Sequence, residues 1–253
     1  MLRKKKIPCY ILVFDQTEII KKTLDSLVKK VDKLDIVIVE NPSKNTSHIK
    51  KYIEELGVRG LVKRHYLFEK NITNNALRMI FLEERKLIKK SKYMILTDGD
   101  LVPDNENWLE EEIEILKQHR DVFGCGISLD MSNLPLETFP DAVGWIPPDK
   151  QEFDDYYEAL TGGHLVIMRG KEFDMFSTWR DQHKLPQIDG QMHRFAYEVL
   201  HKKWARTKRS KAYHLTWDLY HDKNHPYTRM KMEKSFQETW HHAEESPFTL
   251  TSY

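Results

Sequence analysis

The chain has 253 residues, of which 40% are hydrophobic and 31% are charged. That length suits one large domain or two small ones, and the composition excludes both a disordered chain and a membrane-embedded one. The 40 Lys and Arg residues nearly balance the 39 Asp and Glu residues, which leaves a formal net charge of +1. A protein dedicated to nucleic acid is normally far more basic, so nucleic acid is not an expected partner.

The N-terminal segment and the cysteines bear on where the protein works. An apolar run begins near residue 7 and stops at Asp15, which is too short for a membrane span and lacks a small-residue cleavage site. Cys9 and Cys125 both lie in apolar runs, where a buried free thiol is the usual state. We therefore expect a cytoplasmic protein with at most peripheral membrane contact, for example at the inner face of the membrane.

The first half of the chain alternates short apolar runs with stretches of helical periodicity. The runs at 7–14, 36–39, 61–68 and 93–97 are typical of strands buried on both faces. Between them, apolar residues recur at intervals of three and four, as on one face of a helix. The predicted inner faces are Ile20, Leu24, Leu27, Val28 and Val31, then a stretch at 48–56, then Ile72, Ala76, Met79, Ile80 and Leu87. This alternation predicts an α/β sandwich with a mostly parallel central sheet.

The second half is less regular. Helices are predicted around 103–116 and 192–200, and strands are predicted near 122–129, 165–168, 204–207 and 212–215. The polar, His-rich remainder is predicted to form a loop and a surface helix. Because no repeat or low-complexity linker marks a boundary, we expect a single domain over 1–253.

Candidate ligand-binding residues follow the predicted strands, because parallel α/β sheets bind ligands outside the carboxyl ends of their strands. Asp15, Glu40 and Asn41 stand at such positions, as does the tripeptide Asp98-Gly99-Asp100. Two carboxylates separated by glycine can converge on one cation, and the glycine lets a ligand approach the backbone. Such oxygen ligands suit Mg²⁺ or Mn²⁺ holding a diphosphate, although D-G-D is also ordinary turn chemistry.

The order of the polar motifs resembles that of the GT-A fold glycosyltransferases, specifically the family 2 type, over most of residues 7–215. The matching segments are VENPSKN at 39–45, NITNNALR at 71–78, DGD at 98–100, TGGHLVIMRG at 161–170, QIDGQMHRFAYEVLHKKW at 187–204 and KAYHLTW at 211–217. The resemblance implies a Rossmann-like αβα sandwich. Its nucleotide-binding half would span about 1–103, and its acceptor-binding half about 104–253.

Three departures from the family pattern stand out. Glu40 replaces the usual Asp, and the family's E-D pair reads Ile188-Asp189. The segment QETW at 237–240 lacks the Arg of the Q-x-x-R-W motif found in processive synthases. The resemblance therefore implies a non-processive transferase that adds one sugar per encounter.

The resemblance also implies a metal site and a nucleotide site. Mn²⁺, or Mg²⁺, would be bound by Asp98, Asp100 and His214, and the imidazole moves the preference toward Mn²⁺. The nucleotide would be contacted by Asp15, Glu40, Asn41, Arg78, Asp98 and Gly99.

Asp189 is the residue that the resemblance implies as the catalytic base of an inverting transfer. It precedes an amphipathic helix, where a helix N-cap is the ordinary alternative. The implied reaction moves a hexosyl or N-acetylhexosaminyl group from a nucleoside diphosphate sugar, with a UDP-sugar favoured. The acceptor would be a hydroxyl of a glycan or glycolipid in surface polysaccharide or glycan assembly.

Other functions remain open at this point. A non-catalytic nucleotide-sugar-binding protein would keep the fold without turnover. YMILTDGDLV at 93–102 also fits the opening of HAD-type phosphatases, whose second acidic pair would have to be Asp154 and Asp155. A sugar nucleotidyltransferase would need a Gly-rich segment after the first strand, where FDQTEII stands. Sugar-stacking aromatics, if they are not core residues, would be Trp145, Tyr156, Tyr157 and Trp179.

Overall fold

An eleven-stranded sheet forms the centre of the computed structural model, which describes residues 5–187, 189–233 and 245–253. Its strands are β1 (Ile7–Val13), β2 (Leu34–Glu40), β3 (Arg64–Phe68), β4 (Tyr93–Asp98), β5 (Leu101–Pro103), β6 (Val122–Leu129), β7 (Gln151–Glu152), β8 (Tyr156–Glu158), β9 (Val166–Arg169), β10 (Lys203–His214) and β11 (Phe248–Ser252). The helices are α1 (Thr17–Leu27), α2 (Thr46–Val58), α3 (Asn75–Glu83), α4 (Arg85–Lys90), α5 (Trp108–Gln118), α6 (Gly170–Gln182), α7 (Asp189–Arg194), α8 (Leu215–Tyr220) and α9 (Pro226–Glu233).

The strand order is β11-β3-β2-β1-β4-β9-β6-β10-β8-β7, and β5 pairs with β10. Strands β1 to β4 are mutually parallel. Antiparallel β9 separates β4 from β6, and β10 is parallel to β6, so all the long central strands except β9 run in one direction. The prediction of a mostly parallel α/β sheet is therefore confirmed, and the carboxyl ends of β1, β2, β4, β6 and β10 share one edge.

Side chains from alternate positions of the central strands enter two separate cores. Ile11 of β1 belongs to the core that α1, α2 and α5 cover, whereas the neighbouring Tyr10 belongs to the core under α3, α4 and α6. Successive strand residues face opposite sides, so a run that is apolar throughout supplies both layers. Cys9 and Cys125 are buried free thiols, as expected.

The single helix predicted over 72–87 is two helices, α3 and α4, separated at Glu84. The Glu84 carboxylate is buried and accepts hydrogen bonds from the hydroxyls of Tyr10 and Tyr66, each at 2.6 Å, and from Arg64 at 3.2 Å. This break changes the helical phase, so that Leu87, predicted to face the core, is 41% exposed.

The last part of the chain also differs from expectation. The two strands predicted at 204–207 and 212–215 form one strand, β10, whose pairing with β6 shifts between Arg206 and Lys211. The remainder, predicted as a loop and a surface helix, contains α8, α9 and β11, which pairs antiparallel with β3. Ile188 and the QETW segment lie outside the described residues. Within the described ranges, no helix is long and apolar enough to cross a membrane.

Candidate active site

A cleft of about 790 Å³ opens at the shared carboxyl edge of the sheet. Its floor comes from the ends of β1 and β4, and α8 and α9 supply one wall. The polar residues that line it include Asn41, Asn71, Thr73, Asn74, Asp98, Asp100, His164, Asp189, His214, Thr216 and Lys231. This is the location expected for a ligand in a parallel α/β sheet.

Gly99 allows the D-G-D turn to pack directly against the end of β1. A Cβ at this position would lie 2.8 Å from Val13 Cγ1 and 3.0 Å from the Leu12 carbonyl oxygen. The glycine therefore permits a close approach by β1, and its backbone still lines the cleft.

Asp100 and His214 lie side by side, because the two residues that follow β10 are hydrogen-bonded to Asp100 in the D-G-D turn. The Leu215 N–H donates to the Asp100 carbonyl at 2.8 Å, and the Thr216 hydroxyl donates to Asp100 Oδ2 at 2.6 Å. His214 Nδ1 lies 3.6 Å from the same carboxylate oxygen, and the His214 ring stacks on Trp217 with ring centroids 4.6 Å apart. Burial lowers the pKa of His214 against the opposing field of Asp100, so the imidazole is held neutral, as a metal ligand must be.

The donor set fits a divalent cation whose coordination is completed by substrate. Asp100 Oδ1 is buried and has no hydrogen-bond partner, which leaves a hard oxygen ligand available beside the His214 imidazole. Within the described ranges, no three His, Cys, Asp or Glu side chains are arranged to hold an ion by themselves. Mg²⁺ and similar ions are commonly bound by one or two carboxylates together with substrate phosphates, which is the kind of site these residues offer.

Asp98 and Asp189 face each other across Gly163. A Cβ on Gly163 would lie 3.3 Å from Asp98 Oδ2, so only a glycine leaves this carboxylate ample room. Loss of hydration raises the pKa of Asp98 well above its usual value, and the charges of Asp100 and Asp189 raise it further. Burial raises the pKa of Asp189 to about 6, and a hydrogen bond from the Gly163 backbone offsets part of that rise. The cleft therefore concentrates carboxylates that a cation would stabilise.

Asn41 lines the cleft, but its side chain supports a loop. Its amide group donates to the Thr73 carbonyl at 3.0 Å, and its Oδ1 accepts from the Ile72 N–H at 3.0 Å. These bonds hold residues 71–74 against the cleft, where Asn71, Thr73 and Asn74 also line it.

Three residues expected at the nucleotide do not line the cleft. Asp15 accepts hydrogen bonds from Gln16 at 2.8 Å and from Asn45 at 3.1 Å, which stabilise its own turn at φ 62°. Glu40 is fully buried, with Oε2 lying 2.8 Å from His65 Nε2. Arg78 points toward α6, where its guanidinium pairs with Asp181 at 3.2 Å. In each case the fold brings a partner to the side chain, although the second carboxylate oxygen of Glu40, Oε1, is buried and has no hydrogen-bond partner.

Several residues of the cleft were not identified individually from the sequence, although His164 lies within the TGGHLVIMRG segment. His164 follows the glycine pair, and its ring lies so close to Gly162 that a Cβ there would be 2.7 Å from it. Burial lowers the pKa of His164 to about 3, so it lines the cleft as a neutral imidazole. Tyr220, Tyr227 and Lys231 reach the cleft from α8 and α9, which the polar, His-rich sequence did not mark as part of a site.

Of the four aromatic residues considered for sugar stacking, Trp145 lines the cleft. Tyr156 is a core residue, Tyr157 lies on β8 away from the cleft, and Trp179 packs against Phe195. The acidic pair that a phosphatase would require is also absent from the cleft lining, and Asp155 pairs instead with His119 at 2.9 Å.

Sequence comparison finds close relatives whose activities are not known. No family model matches the chain. Two uncharacterized proteins of Acanthamoeba polyphaga mimivirus are each 42% identical to it, over 97% and 92% of this chain but only 34% and 48% of their own lengths. A third protein of that virus is 38% identical over 99% of this chain and 28% of its own length. The chain thus spans between 28% and 48% of the length of these three curated relatives.

Comparison with solved structures identifies the fold. GalNAc-T7, solved with UDP, GalNAc and Mn²⁺, matches 83% of this chain and 44% of its own, with a TM-score of 0.54 and 15% identity. A mannosyltransferase of Pyrobaculum calidifontis, solved with GDP-Man and Mn²⁺, matches 83% of this chain and 57% of its own, with a TM-score of 0.54 and 12% identity. The chain has the GT-A fold. At these identities the likeness establishes architecture, and the cleft residues must carry any argument about activity.

Proposed function

We propose that this protein is a metal-dependent, non-processive glycosyltransferase of the family 2 type. The observation that carries the proposal is the convergence of Asp98, Asp100, Asp189 and His214 in one cleft at the carboxyl edge of a GT-A sheet. They come from three separate parts of the sequence, which are the D-G-D turn that ends β4, the first residue of α7 and the last residue of β10. A protein that had only retained the fold would have no need to retain this set of groups.

In the proposed reaction, Asp100 and His214 hold Mn²⁺, or Mg²⁺, with the DXD-motif residue Asp98 beside them. When bound, the ion supplies Lewis-acid stabilisation of the departing diphosphate. Asn41 and Gly99 line the cleft and are proposed to contact the nucleotide, Gly99 through its backbone and Asn41 through the loop that it holds. Asp15, Glu40 and Arg78 are not assigned to the nucleotide, because their side chains are engaged elsewhere.

Asp189 is proposed as the general base. The acceptor hydroxyl oxygen forms a bond to the anomeric carbon, the bond from that carbon to the diphosphate oxygen breaks, and its electron pair stays on the diphosphate. The acceptor proton passes to Asp189, whose elevated pKa of about 6 suits proton transfer near neutral pH. A single displacement of this kind inverts the anomeric centre.

The proposed donor is a nucleoside diphosphate sugar carrying a hexosyl or N-acetylhexosaminyl group, with a UDP-sugar preferred. Support comes from the two structural neighbours, one solved with UDP and GalNAc and the other with GDP-Man. The proposed acceptor is a hydroxyl of a glycan or glycolipid in surface polysaccharide assembly, reached in the cytoplasm or at a membrane surface. We assign the nucleotide to the half spanning about 1–103 and the acceptor to about 104–253, within one domain.

Thermal denaturation with UDP, GDP and their sugars tests the proposal. With Mn²⁺ present, the cognate nucleotide at a hundredfold excess over its Kd should stabilise the protein by about 2.7 kcal/mol, and EDTA should remove the effect. Asp100→Ala should abolish both the metal-dependent shift and sugar transfer. Asp32→Ala, which removes an exposed carboxylate outside the cleft, should change neither. Nucleotide binding that is unaffected by EDTA would exclude the D-G-D metal assignment.

A further inference from the structure

The charge of the cleft poses a problem for an anionic substrate. Asp98, Asp100 and Asp189 line it, and Lys231 is the only Lys or Arg among the described residues that do. A nucleoside diphosphate adds further negative charge to this set. A divalent ion would offset part of the repulsion near Asp100 and His214, and within the described ranges Lys231 is the cationic side chain of the cleft that could face the diphosphate.

Lys231 lies on the inner face of α9, which is firmly packed against α8. Tyr227, one helical turn earlier on the same face, is buried and stacks on Tyr220 with ring centroids 6.1 Å apart and planes within 6°. The Thr228 hydroxyl donates to the Leu219 carbonyl at 2.7 Å and joins the two helices. The Lys231 ammonium lies 5.5 Å from the centroid of the Tyr227 ring, so its long side chain runs along an ordered aromatic surface.

Lys231 shares the cleft with both parts of the proposed metal site. The lining includes Asp98 and Asp100 of the D-G-D turn and His214 at the end of β10, together with Lys231 of α9. The one Lys or Arg of the described lining is therefore in the same cavity as the proposed metal ligands.

We propose that Lys231 binds the diphosphate of the donor from the α9 side of the cleft. As the bond between the anomeric carbon and the diphosphate oxygen breaks, the electron pair remains on that phosphate group, and the Lys231 ammonium donates a hydrogen bond to it without transferring a proton. Lysine is suited to this role because its ammonium is a compact point charge on a flexible stem. The inference rests on the proposed function and adds to it a phosphate-binding residue outside the family motifs.

Calorimetric titration of Lys231→Gln with UDP or GDP, whichever binds the wild-type protein in Mn²⁺, tests the inference. Loss of one charge-assisted hydrogen bond should weaken nucleoside diphosphate binding about ten- to hundredfold. Binding of the corresponding nucleoside, which lacks phosphate, should stay within twofold. Lys231→Arg should retain most of the affinity, and Arg229→Gln, which removes a positive charge from the exposed face of α9, should match wild type.

Titration with Mn²⁺ alone separates phosphate binding from a merely structural role. Unchanged diphosphate affinity in Lys231→Gln would overturn the inference. If Lys231 binds phosphate, the variant keeps its melting temperature and binds Mn²⁺ at least as tightly as wild type, while its affinity for the diphosphate falls by the factor given above. Failure of the wild-type protein to bind either UDP or GDP would instead overturn the proposed function itself.

Discussion

Two adjacent glutamates of α5 show how local surroundings decide whether a buried carboxylate stabilises the protein. Glu111 accepts hydrogen bonds from the backbone N–H groups of Lys208 and Arg209, at 3.0 and 2.9 Å, and from the Ser210 hydroxyl at 2.6 Å. Glu112 is fully buried, and neither of its carboxylate oxygens has a hydrogen-bond partner. Burial raises the pKa of Glu112 well above its usual value, and the charge of Glu111 raises it further.

Replacing Glu112 should therefore stabilise the fold. Glu112→Met has a similar shape and removes the unpaired polar group, so we expect about 1–3 kcal/mol of added stability at pH 7 in denaturant titrations. Because the folded-state pKa of Glu112 exceeds its unfolded value, the contribution of this group to the stability of the wild-type protein is fully present below about pH 4 and is lost as the pH rises. The advantage of the variant should grow with pH over the same range.

Glu111→Met is the matched control from the same helix. It leaves the backbone donors near the irregular part of β10 without their acceptor, so it should destabilise the protein by about 1–3 kcal/mol. Equal effects of the two substitutions would contradict the distinction between a satisfied and an unsatisfied carboxylate.

Asp189 distinguishes a catalytic role from a structural one. Asp189 is the first residue of α7 rather than its N-cap. Asp189→Asn should preserve the melting temperature and nucleotide binding, because Asn has nearly the same shape and its Oδ1 can still accept the hydrogen bond from the Gly163 backbone. If Asp189 is the base, kcat should fall by a factor on the order of 10² to 10⁴. The NMR anomeric coupling of the wild-type product should also show inversion relative to the donor.

Asp154→Asn, which alters an exposed carboxylate outside the cleft, provides the comparison. Its turnover should equal that of wild type. An Asp189→Asn enzyme within a fewfold of wild type, or a product with retained configuration, would remove Asp189 from the mechanism.

At the scale of elements, strand β11 pairs with β3 and so packs against the first half of the chain. Phe248 packs against Tyr66 and Phe68 of β3, and the Tyr253 N–H donates to the Lys63 carbonyl at 3.1 Å. The Tyr253 ring lies against α2 so closely that a Cβ on Gly57 would be 2.3 Å from ring carbons. The absence of a side chain at Gly57 therefore makes room for the Tyr253 ring.

Gly57→Ala tests this fit, because it should destabilise the protein although alanine normally stabilises a helix relative to glycine. Alanine normally gains about 0.5–1 kcal/mol over glycine inside a helix. Here we expect a loss of about 1–3 kcal/mol from the clash with Tyr253, measured by chemical denaturation.

The same substitution in a Tyr253→Ala background removes the clash. Gly57→Ala should then be neutral or stabilising, and the difference between the two backgrounds measures the coupling. Additive effects would show that Tyr253 does not restrict position 57.

The helices α8 and α9 illustrate why one wall of the cleft escaped the sequence analysis. Their polar, His-rich sequence resembles a surface segment, and their inward residues Trp217, Tyr220 and Tyr227 give no long periodic signal. The two helices line the cleft because β10 ends beside the D-G-D turn, so that the residues following β10 lie along the cleft.

At the scale of the whole molecule, the sheet order assembles the proposed active site. β4 lies between β1 and β9, and β10 follows β6, so Asp98 and His214 arrive at the same edge from distant parts of the sequence. The loop before β9 supplies Gly163, and α7 supplies Asp189.

The sequence by itself determined the alternating strands and helices of the first half, because runs that are apolar on both faces and helices with one apolar face leave a clear periodic pattern. The strand-terminal D-G-D tripeptide also marked Asp98 and Asp100 as candidates, and the family resemblance added Asp189 and His214. Only the tertiary structure decided which partners the polar side chains contact. Arg78 pairs with Asp181, Glu40 contacts His65, and Lys231 lines the cleft. The partners of a polar side chain are set by neighbours distant in sequence, and no local pattern records them.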